Sequence, residues 1–146
     1  MKKKILFTQI GYTYLSTADI EDSIQWYEKH LGLKCIDKFE DRGSLIAIMH
    51  YPHKHSIALV LVETQACSPL YIMRNGSPHP VFTMNCPDIE YTYRKLKEYH
   101  VDVQEIHCLG GGEAKYFYFK DNQGNLLEAA WSRWDPTDEL KENYRQ

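Results

Sequence analysis

An internal repeat constrains the fold of this chain more than any other feature. The tetrapeptide Ala18-Asp19-Ile20-Glu21 returns 69 residues later as Pro87-Asp88-Ile89-Glu90, about half the chain length away. Each copy follows a strand-like stretch and precedes a helix-like one. Because an internal repeat fixes the architecture when it is present, the sequence predicts two modules of the same kind.

The first copy predicts the order β-α-β-β-β. Tyr12 to Thr17 has the β-branched and aromatic residues typical of a strand, and Asp19 stands where the N-cap of a helix is expected. An apolar stripe at helical spacing follows and ends at Gly32, a residue that closes helices without strain. Three further strands, separated by turn-like residues, are expected: Lys34 to Glu40, Ser44 to His50 and Ser56 to Glu63.

The second copy predicts the same order. Val81 to Cys86 is the expected first strand, and Asp88 is the expected N-cap of the second helix. The run from Asp121 to Asn125 predicts a hairpin turn, because Asn, Asp and Gly tolerate positive φ. The expected strands after the helix are Asp102 to Ile106, Lys115 to Phe119 and Leu126 to Trp131.

These elements predict a single domain of 146 residues, long enough to bury its own core. Its parts are module 1 at about 8–64, a linker at about 65–78, module 2 at about 79–131 and a C-terminal tail at 132–146. The helices can cover only one face of the sheets, so the other face is free to curve around a cavity. If the repeat were accidental, a ferredoxin-like or other α+β sandwich would be the alternative fold.

Composition excludes several classes of partner. A net charge of −3, from 17 basic and 20 acidic residues, gives no field that would gather nucleic acid or anionic lipid. The four cysteines lie far apart without a CxxC pair, and no apolar run has the length of a signal peptide or a membrane span. We therefore expect a soluble, cytoplasmic protein with free thiols.

Two stretches carry a family resemblance. Asp19 to Leu33 is similar to a D-[LI]-E-x-[SA]-x-x-[FW]-Y-x-x-x-L-G-[LF] pattern, and Tyr116 to Glu128 is similar to a terminal F-x-D-P-x-G-N-x-x-E pattern. Both patterns belong to the vicinal oxygen chelate superfamily, which contains glyoxalase I, bleomycin-resistance proteins, fosfomycin-resistance enzymes and extradiol dioxygenases. The resemblance implies an α+β fold: two paired βαβββ modules form a half-open, curved eight-stranded sheet around a cavity, with the helices on the outer face.

The resemblance also implies where a metal would bind. In metal-using members, four inward residues hold one divalent cation, which acts as a Lewis acid on the substrate. The first-strand positions fall on Tyr12 and Val81, the strand within Ile57 to Val62 has no polar side chain, and Glu128 alone matches. We therefore expect no metal cofactor; if a divalent metal does bind, Glu128 and His79 are its candidate ligands.

Glu128 is the candidate catalytic residue. Its neighbours are apolar, and a carboxyl of raised pKa in a cavity can act as a general base beside a carbonyl. The alternative is an inert carboxylate that is hydrogen-bonded by a nearby Tyr or Arg. Strand residues expected to face the cavity are the candidate ligand-binding residues: Tyr12, Tyr14, Val81, Thr83, Tyr116 and Tyr118.

Two further motifs have simpler interpretations. His50, His53 and His55 cluster at a predicted hairpin, where a solvated turn is preferred over a surface metal site. Gly110-Gly111-Gly112 is followed by neither Lys-Ser/Thr nor a helix, which favours a connection over a phosphate loop and leaves a gating role at the cavity mouth open.

Three functional hypotheses follow. The first is a metal-free protein that binds a small aromatic or apolar molecule between its modules. The second is a metal-dependent lyase, isomerase or dioxygenase of the same superfamily that uses Glu128. Its other metal ligands would then be residues at different positions of this chain or residues of a second chain. The third is a catalytically silent module whose tail, Asp135 to Gln146, forms a homodimer.

Overall fold

The computed structural model describes residues 4–52 and 56–135 of the chain. Within them it has ten strands and two α-helices, the first of which continues as a π-helical turn. The elements are β1 (Tyr12–Thr17), α1 (Ile20–Trp26), the π-helical turn (Tyr27–Leu31), β2 (Lys34–Asp41), β3 (Ser44–His50), β4 (Ala58–Glu63), β5 (Ile72–Arg74), β6 (Ser77–His79), β7 (Thr83–Asn85), α2 (Ile89–Glu98), β8 (His107–Leu109), β9 (Ala114–Lys120) and β10 (Leu126–Ser132).

The two predicted βαβββ modules are confirmed by their identical topology. One sheet has the strand order β1-β4-β3-β2 and the other has the order β7-β10-β9-β8. In each, the first strand pairs in parallel with the last strand, and the remaining pairs are antiparallel. The eight strands of the modules are thus divided equally between two open four-stranded sheets, sheet 1 and sheet 2.

The predicted helix boundaries are confirmed by their caps. The side chain of Asp19 accepts a hydrogen bond from the backbone N–H of Asp22 at 3.1 Å, and Asp88 accepts one from Tyr91 at 3.1 Å. Each carboxylate satisfies a backbone donor that has no partner inside its helix. Gly32 ends the π-helical turn in the left-handed region, at φ 74°.

Three elements of the second module and the linker differ from the sequence prediction. The segment Asp102 to Ile106, which was expected to be a strand, pairs with β9 only through the isolated bridge between Val103 and Phe119. The strand that pairs with β9 is β8, which begins at His107. The first strand is shortened to β7. The predicted linker contains the hairpin β5–β6, which turns at Asn75 and Gly76 with φ of 50° and 82°.

The two modules share one hydrophobic core on the helix-bearing sides of their sheets. Side chains of α1 and α2 pack there against alternate residues of both sheets, and the core includes Tyr27 and Phe117, both with no exposed surface. Across the module boundary, the Tyr27 hydroxyl donates to Asp121 Oδ2 at 2.5 Å. The His30 and Tyr99 rings lie 5.0 Å apart. The sheet faces opposite the helices are thereby left open.

The remaining predictions on chain organisation concern thiols, membrane spans and the tail. All four cysteines are free thiols. No helix in the described ranges combines the length and the apolar character that crossing a bilayer requires. His53, His55 and the tail beyond Asp135 lie outside the described residues, so the predictions made for them stay predictions.

Candidate functional site

The open face of sheet 1 forms an apolar pocket with a volume of about 300 Å³, which we call the tyrosine pocket. Tyr12 and Tyr14 of β1 stand at its side with 61% and 55% of their surface exposed. Alternation along each strand turns these residues away from the helix-side core, because successive side chains point to opposite faces. The rest of the floor comes from β3 and β4: Ile46, Ile48, Val60 and Val62.

The open face of sheet 2 forms a polar pocket of about 460 Å³, which we call the Glu128 pocket. Glu128 lies on the central strand β10, directly opposite Tyr118 of β9. The hairpin β5–β6 brings Arg74 and His79 to the same pocket. This face therefore combines a carboxyl, an imidazole, a guanidinium and phenol rings. The tyrosine pocket is apolar over β3 and β4, and its polar residues, Asp41, Arg42 and Ser44, lie where β2 turns into β3.

The strand registers show which residues correspond between the two faces. Tyr14 pairs with Val60 in sheet 1, and Thr83 pairs with Glu128 in sheet 2. Tyr14 and Thr83 are separated by the repeat interval of 69 residues, so Val60 occupies in module 1 the place of Glu128 in module 2. The sequence predicted an apolar residue where the family pattern has a carboxylate in module 1, and the strand registers identify that residue as Val60.

The pKa of the Glu128 carboxyl is raised by burial and is lowered in part by His79 and Arg74. A low-dielectric surrounding disfavours the charged carboxylate more than the neutral acid. Within the described ranges, the carboxyl has no hydrogen bond to Tyr118 or Arg74. The contact on which the alternative of an inert, hydrogen-bonded carboxylate depends is therefore not present there. The group remains accessible from the pocket and can accept a proton or a hydrogen bond from a ligand.

A row of aromatic rings crosses sheet 2 beside Glu128. The His79 ring meets Tyr118 edge-on at 5.8 Å, Tyr118 lies 5.5 Å from Tyr116, and Tyr116 stacks on His107 at 5.2 Å. The carbonyl of Pro80 lies 2.7 Å from Nδ1 of His79 and can only accept, so Nδ1 carries the hydrogen. In the neutral ring, Nε2 of His79 is then left as an acceptor.

The structure brings some of the predicted site residues together and separates others. Tyr116, Tyr118, Glu128 and His79 line the Glu128 pocket, whereas Tyr12 and Tyr14 line the tyrosine pocket. Thr83 and Val81 line neither of these two pockets, and Val81 lies ahead of β7 with 43% of its surface exposed. The residues assigned to one cavity therefore lie on two separate sheet faces that have no lining residue in common.

The residues present do not fit the divalent metal that the family resemblance implies. Of the four expected positions, those at Tyr12, Val81 and Val60 offer a phenol and two aliphatic chains. In the part of the chain that the structure describes, no three His, Cys, Asp or Glu side chains converge. Glu128 and His79 line one pocket, but two donors are fewer than the three or four protein ligands of a zinc site.

Sequence reasoning missed Arg74, since the segment around it was predicted to be a linker. The dipeptide Asn75-Gly76 is a strong hairpin signal, and it would have placed Arg74 and His79 on paired strands. The triple glycine forms the turn between β8 and β9, in which Gly111 N–H donates to Glu113 Oε2 at 2.7 Å. His50 contacts the carbonyl of Tyr51 and belongs to neither pocket.

Comparison with known families gives one match over most of the chain. The model of the Glyoxalase/Bleomycin resistance protein/Dioxygenase superfamily matches residues 9–129. No curated protein gives a significant match to the sequence.

Solved structures share the fold at low sequence identity. TnmS3, an antibiotic binding protein from Streptomyces sp. CB03234, is 15% identical with a TM-score of 0.68, over 88% of this chain and 99% of its own. The fosfomycin resistance protein FosX from Listeria monocytogenes is 13% identical with a TM-score of 0.66, over 88% and 97%. A lactoylglutathione lyase from Agrobacterium tumefaciens is 17% identical with a TM-score of 0.61, over 87% and 96%.

Proposed function

Because the chain belongs to the glyoxalase/bleomycin resistance protein/dioxygenase superfamily, we propose that it binds a small, flat molecule of aromatic or apolar character without the family's metal. The observation that carries this proposal is the residue content of the family's ligand positions. Glu128 alone offers a strong donor, while Val60 holds the corresponding place in module 1. A binding role is also consistent with TnmS3, an antibiotic binding protein that shares this fold.

The Glu128 pocket is the proposed ligand site. Tyr116 and Tyr118 provide ring faces on which a planar molecule can stack, and stacking contributes beyond the burial of area. Arg74, His79 and Glu128 surround those rings with hydrogen-bonding groups that can fix the orientation of the ligand. A ligand with an aromatic body and one or two polar substituents matches this arrangement best.

We further propose that a second copy of the chain closes the site. The Glu128 pocket is open, and the tyrosine pocket that was expected to complete it lies on a different face of the same chain. A homodimer can place the tyrosine pocket of one copy over the Glu128 pocket of the other. The chain also has exposed apolar side chains that a partner could cover, namely Ile5, Leu6, Phe7 and Ile10, which are 80% to 91% exposed.

The binding test uses 8-anilinonaphthalene-1-sulfonate, a fluorescent aromatic anion whose sulfonate can pair with Arg74. We expect saturable binding that EDTA leaves unchanged and that Tyr118→Ala weakens by about tenfold, because one stacking face is lost. The control is Ile36→Ala, which removes an apolar side chain of β2 that is 63% exposed and lines neither pocket, and it is expected to leave the affinity unchanged. Loss of binding with EDTA, or an unchanged affinity in Tyr118→Ala, contradicts the proposal.

An enzyme of the same superfamily is the second candidate, and the raised pKa of Glu128 is the observation that favours it. A carboxyl of this kind can remove a proton next to a carbonyl group, a step used by lyases and isomerases. The discriminating measurement is elemental analysis of the purified protein. A stoichiometric divalent metal that disappears in Glu128→Gln supports the enzyme and rejects metal-free binding.

The proposed surroundings of the protein follow from its charge and its thiols. Free cysteines are usual in a reducing compartment, which favours the cytoplasm. The small net charge of −3 offers no basic surface for nucleic acid.

A further inference from the structure

An arginine, a lysine, a glutamate and an aspartate line the Glu128 pocket, and two of these four have partners within the chain. Lys115 Nζ lies 2.5 Å from Glu90 Oε1 of α2. Asp135 accepts hydrogen bonds from the backbone N–H and the hydroxyl of Ser132, at 2.9 Å and 2.8 Å. The other two, one cation and one carboxyl, have no ion pair or hydrogen bond in the described part of the chain.

The cation is Arg74. Its guanidinium has no carboxylate oxygen within 4.0 Å among residues 4–52 and 56–135. Burial raises the pKa of both the Glu128 carboxyl and the Tyr118 phenol, and the positive charge of Arg74 offsets part of each rise. Arg74 therefore lies near both groups without pairing with either. A guanidinium binds a carboxylate through two parallel hydrogen bonds, so Arg74 is suited to the acid group of a ligand.

The carboxyl is Glu128, which faces the same pocket from the central strand β10. A ligand hydroxyl can donate to the ionised carboxylate and accept from the protonated acid, so it suits either state of this group. An anionic group of a ligand is repelled by the ionised carboxylate and attracted by the guanidinium. The two unpartnered side chains therefore select different substituents of one molecule.

Backbone contacts hold the hairpin β5–β6 in a defined place beside β10. Leu70, which precedes the hairpin, donates its N–H to Asn125 Oδ1 at 2.9 Å. The carbonyl of Leu70 accepts from the N–H of Leu126 at 3.4 Å. Asn125 has no exposed surface, and Leu126 is only two residues before Glu128 on the same strand. The chain that leads to Arg74 is thus anchored close to the carboxyl.

Tyr118 provides the ring face between these two requirements. It pairs directly with Glu128 across the strands, and its ring lies 5.5 Å from that of Tyr116. A planar ring that packs on Tyr118 therefore has the carboxyl and the guanidinium within its surroundings. The pocket volume of about 460 Å³ is in the range that small organic ligands occupy.

From this arrangement we propose that the Glu128 pocket takes an aromatic hydroxy acid, a planar ring that carries one carboxylate and one hydroxyl. The carboxylate pairs with Arg74, the hydroxyl with Glu128, and the ring packs on Tyr118. This inference rests on the proposed function, because it names the ligand class of the same site. It adds that the two polar substituents, and not the aromatic body alone, decide which molecules bind.

The first test measures the affinity of the full chain for three compounds by isothermal titration calorimetry at pH 7. They are 6-hydroxy-2-naphthoate, 2-naphthoate, which lacks the hydroxyl, and 2-naphthol, which lacks the carboxylate. We expect 6-hydroxy-2-naphthoate to bind at least about fivefold more tightly than either of the others, the ratio that corresponds to one net hydrogen bond. Equal affinities for 6-hydroxy-2-naphthoate and 2-naphthol overturn the proposal.

The second test removes each polar group of the site in turn. Arg74→Gln is expected to weaken both naphthoates by about tenfold and to leave 2-naphthol within about twofold. Glu128→Leu is expected to weaken the two hydroxyl compounds by about fivefold without weakening 2-naphthoate, which loses only a repulsive neighbour. The control for the charge is Arg94→Gln, at an exposed arginine of α2 that lines neither pocket. Equal losses for all three compounds in Arg74→Gln or Glu128→Leu contradict the assigned roles.

The outcomes separate this inference from the proposed function. If 8-anilinonaphthalene-1-sulfonate binds without metal but the three compounds bind equally, the proposed function stands and the hydroxy acid is wrong. If neither the dye nor any of the three compounds binds, both proposals fail. If a variant does not fold, the order of affinities in the unmodified chain decides the matter.

Discussion

The buried hydroxyl of Tyr27 makes one of the hydrogen bonds that link the two modules. Tyr27 has no exposed surface, and its hydroxyl donates to Asp121 Oδ2 at 2.5 Å. The same carboxylate accepts from Asn125 Nδ2 at 2.8 Å and, through Oδ1, from two backbone N–H groups of the β9–β10 turn. Burial and the negative charge of Asp121 raise the pKa of Tyr27 well above its ordinary value, so the phenol stays a donor at neutral pH.

Removing that hydroxyl leaves a buried carboxylate with one donor fewer. We expect Tyr27→Phe to lower the free energy of unfolding by about 1.5–3 kcal/mol, the usual range for a hydrogen bond to a charged group. Urea denaturation monitored by tryptophan fluorescence measures it. Tyr91→Phe, at an exposed tyrosine, is the control and should change little. A loss in Tyr27→Phe no larger than in the control would show that Asp121 is satisfied without the phenol.

Glu128 makes stability depend on pH in a direction set by its raised pKa. The folded protein holds this proton more tightly than the unfolded chain, so stability falls as pH rises from about 4.3, the ordinary Glu pKa, through the folded pKa. Below that pH window the carboxyl is protonated in both the folded and the unfolded state, so it does not change the free energy of unfolding. We therefore expect Glu128→Gln to raise Tm by about 2 °C at pH 7 and to leave it unchanged at pH 3. A variant that is less stable than the parent at pH 7 would indicate that the ionised carboxylate has a stabilising partner.

At the scale of elements, the hairpin β5–β6 positions the side chains that surround Glu128. Its turn needs positive φ at Asn75 and Gly76, conformations that Asn and Gly adopt readily. The hairpin carries Arg74 before the turn and His79 after it, and both reach the Glu128 pocket. A change in the turn should therefore affect binding at a distance.

We expect Gly76→Ala to destabilise the chain by about 1 kcal/mol, since Ala at φ 82° is strained although no atom lies within 4 Å of the added Cβ. Its affinity for 8-anilinonaphthalene-1-sulfonate should fall by about threefold as Arg74 and His79 lose their positions. Gly11→Ala, where the added Cβ also meets no atom and φ is not positive, is the control. If Gly76→Ala binds the dye as the parent does, the hairpin does not contribute to the site.

The elements with local chemical signals could be predicted from the sequence. Asp19, Asp88 and Gly32 fixed the helix ends because capping and left-handed termination depend on residues within one turn. The position of β8 could not be predicted, since its residues pair with β9 across a turn of three glycines and their own β propensity is modest. Pairing decided that strand, and pairing is a tertiary property.

At the scale of the whole molecule, the sequence predicted two modules but not how they face each other. Alternation correctly separates Tyr12 and Tyr14 from Leu15 and Thr17, because side chains on a strand point to alternate faces. Which faces meet is determined by contacts such as Tyr27 with Asp121, and the pattern of one strand does not contain that information. The tyrosines of module 1 and Glu128 of module 2 were therefore expected in one cavity, yet they line two.

The proposed homodimer gives the last prediction. Tyr14 projects from the open face of sheet 1 and is 55% exposed, so Tyr14→Arg should leave the isolated chain folded. If that face covers the Glu128 pocket of a second copy, an arginine there has to lose its hydration when the dimer forms, which costs several kcal/mol. Light scattering after size exclusion should then show the dimer dissociating at least tenfold more readily. Tyr91→Arg on α2, at 51% exposure, is the matched control and should remain dimeric. Equal behaviour of the two variants, or a parent chain that is monomeric at high concentration, would mean that each pocket acts within a single chain.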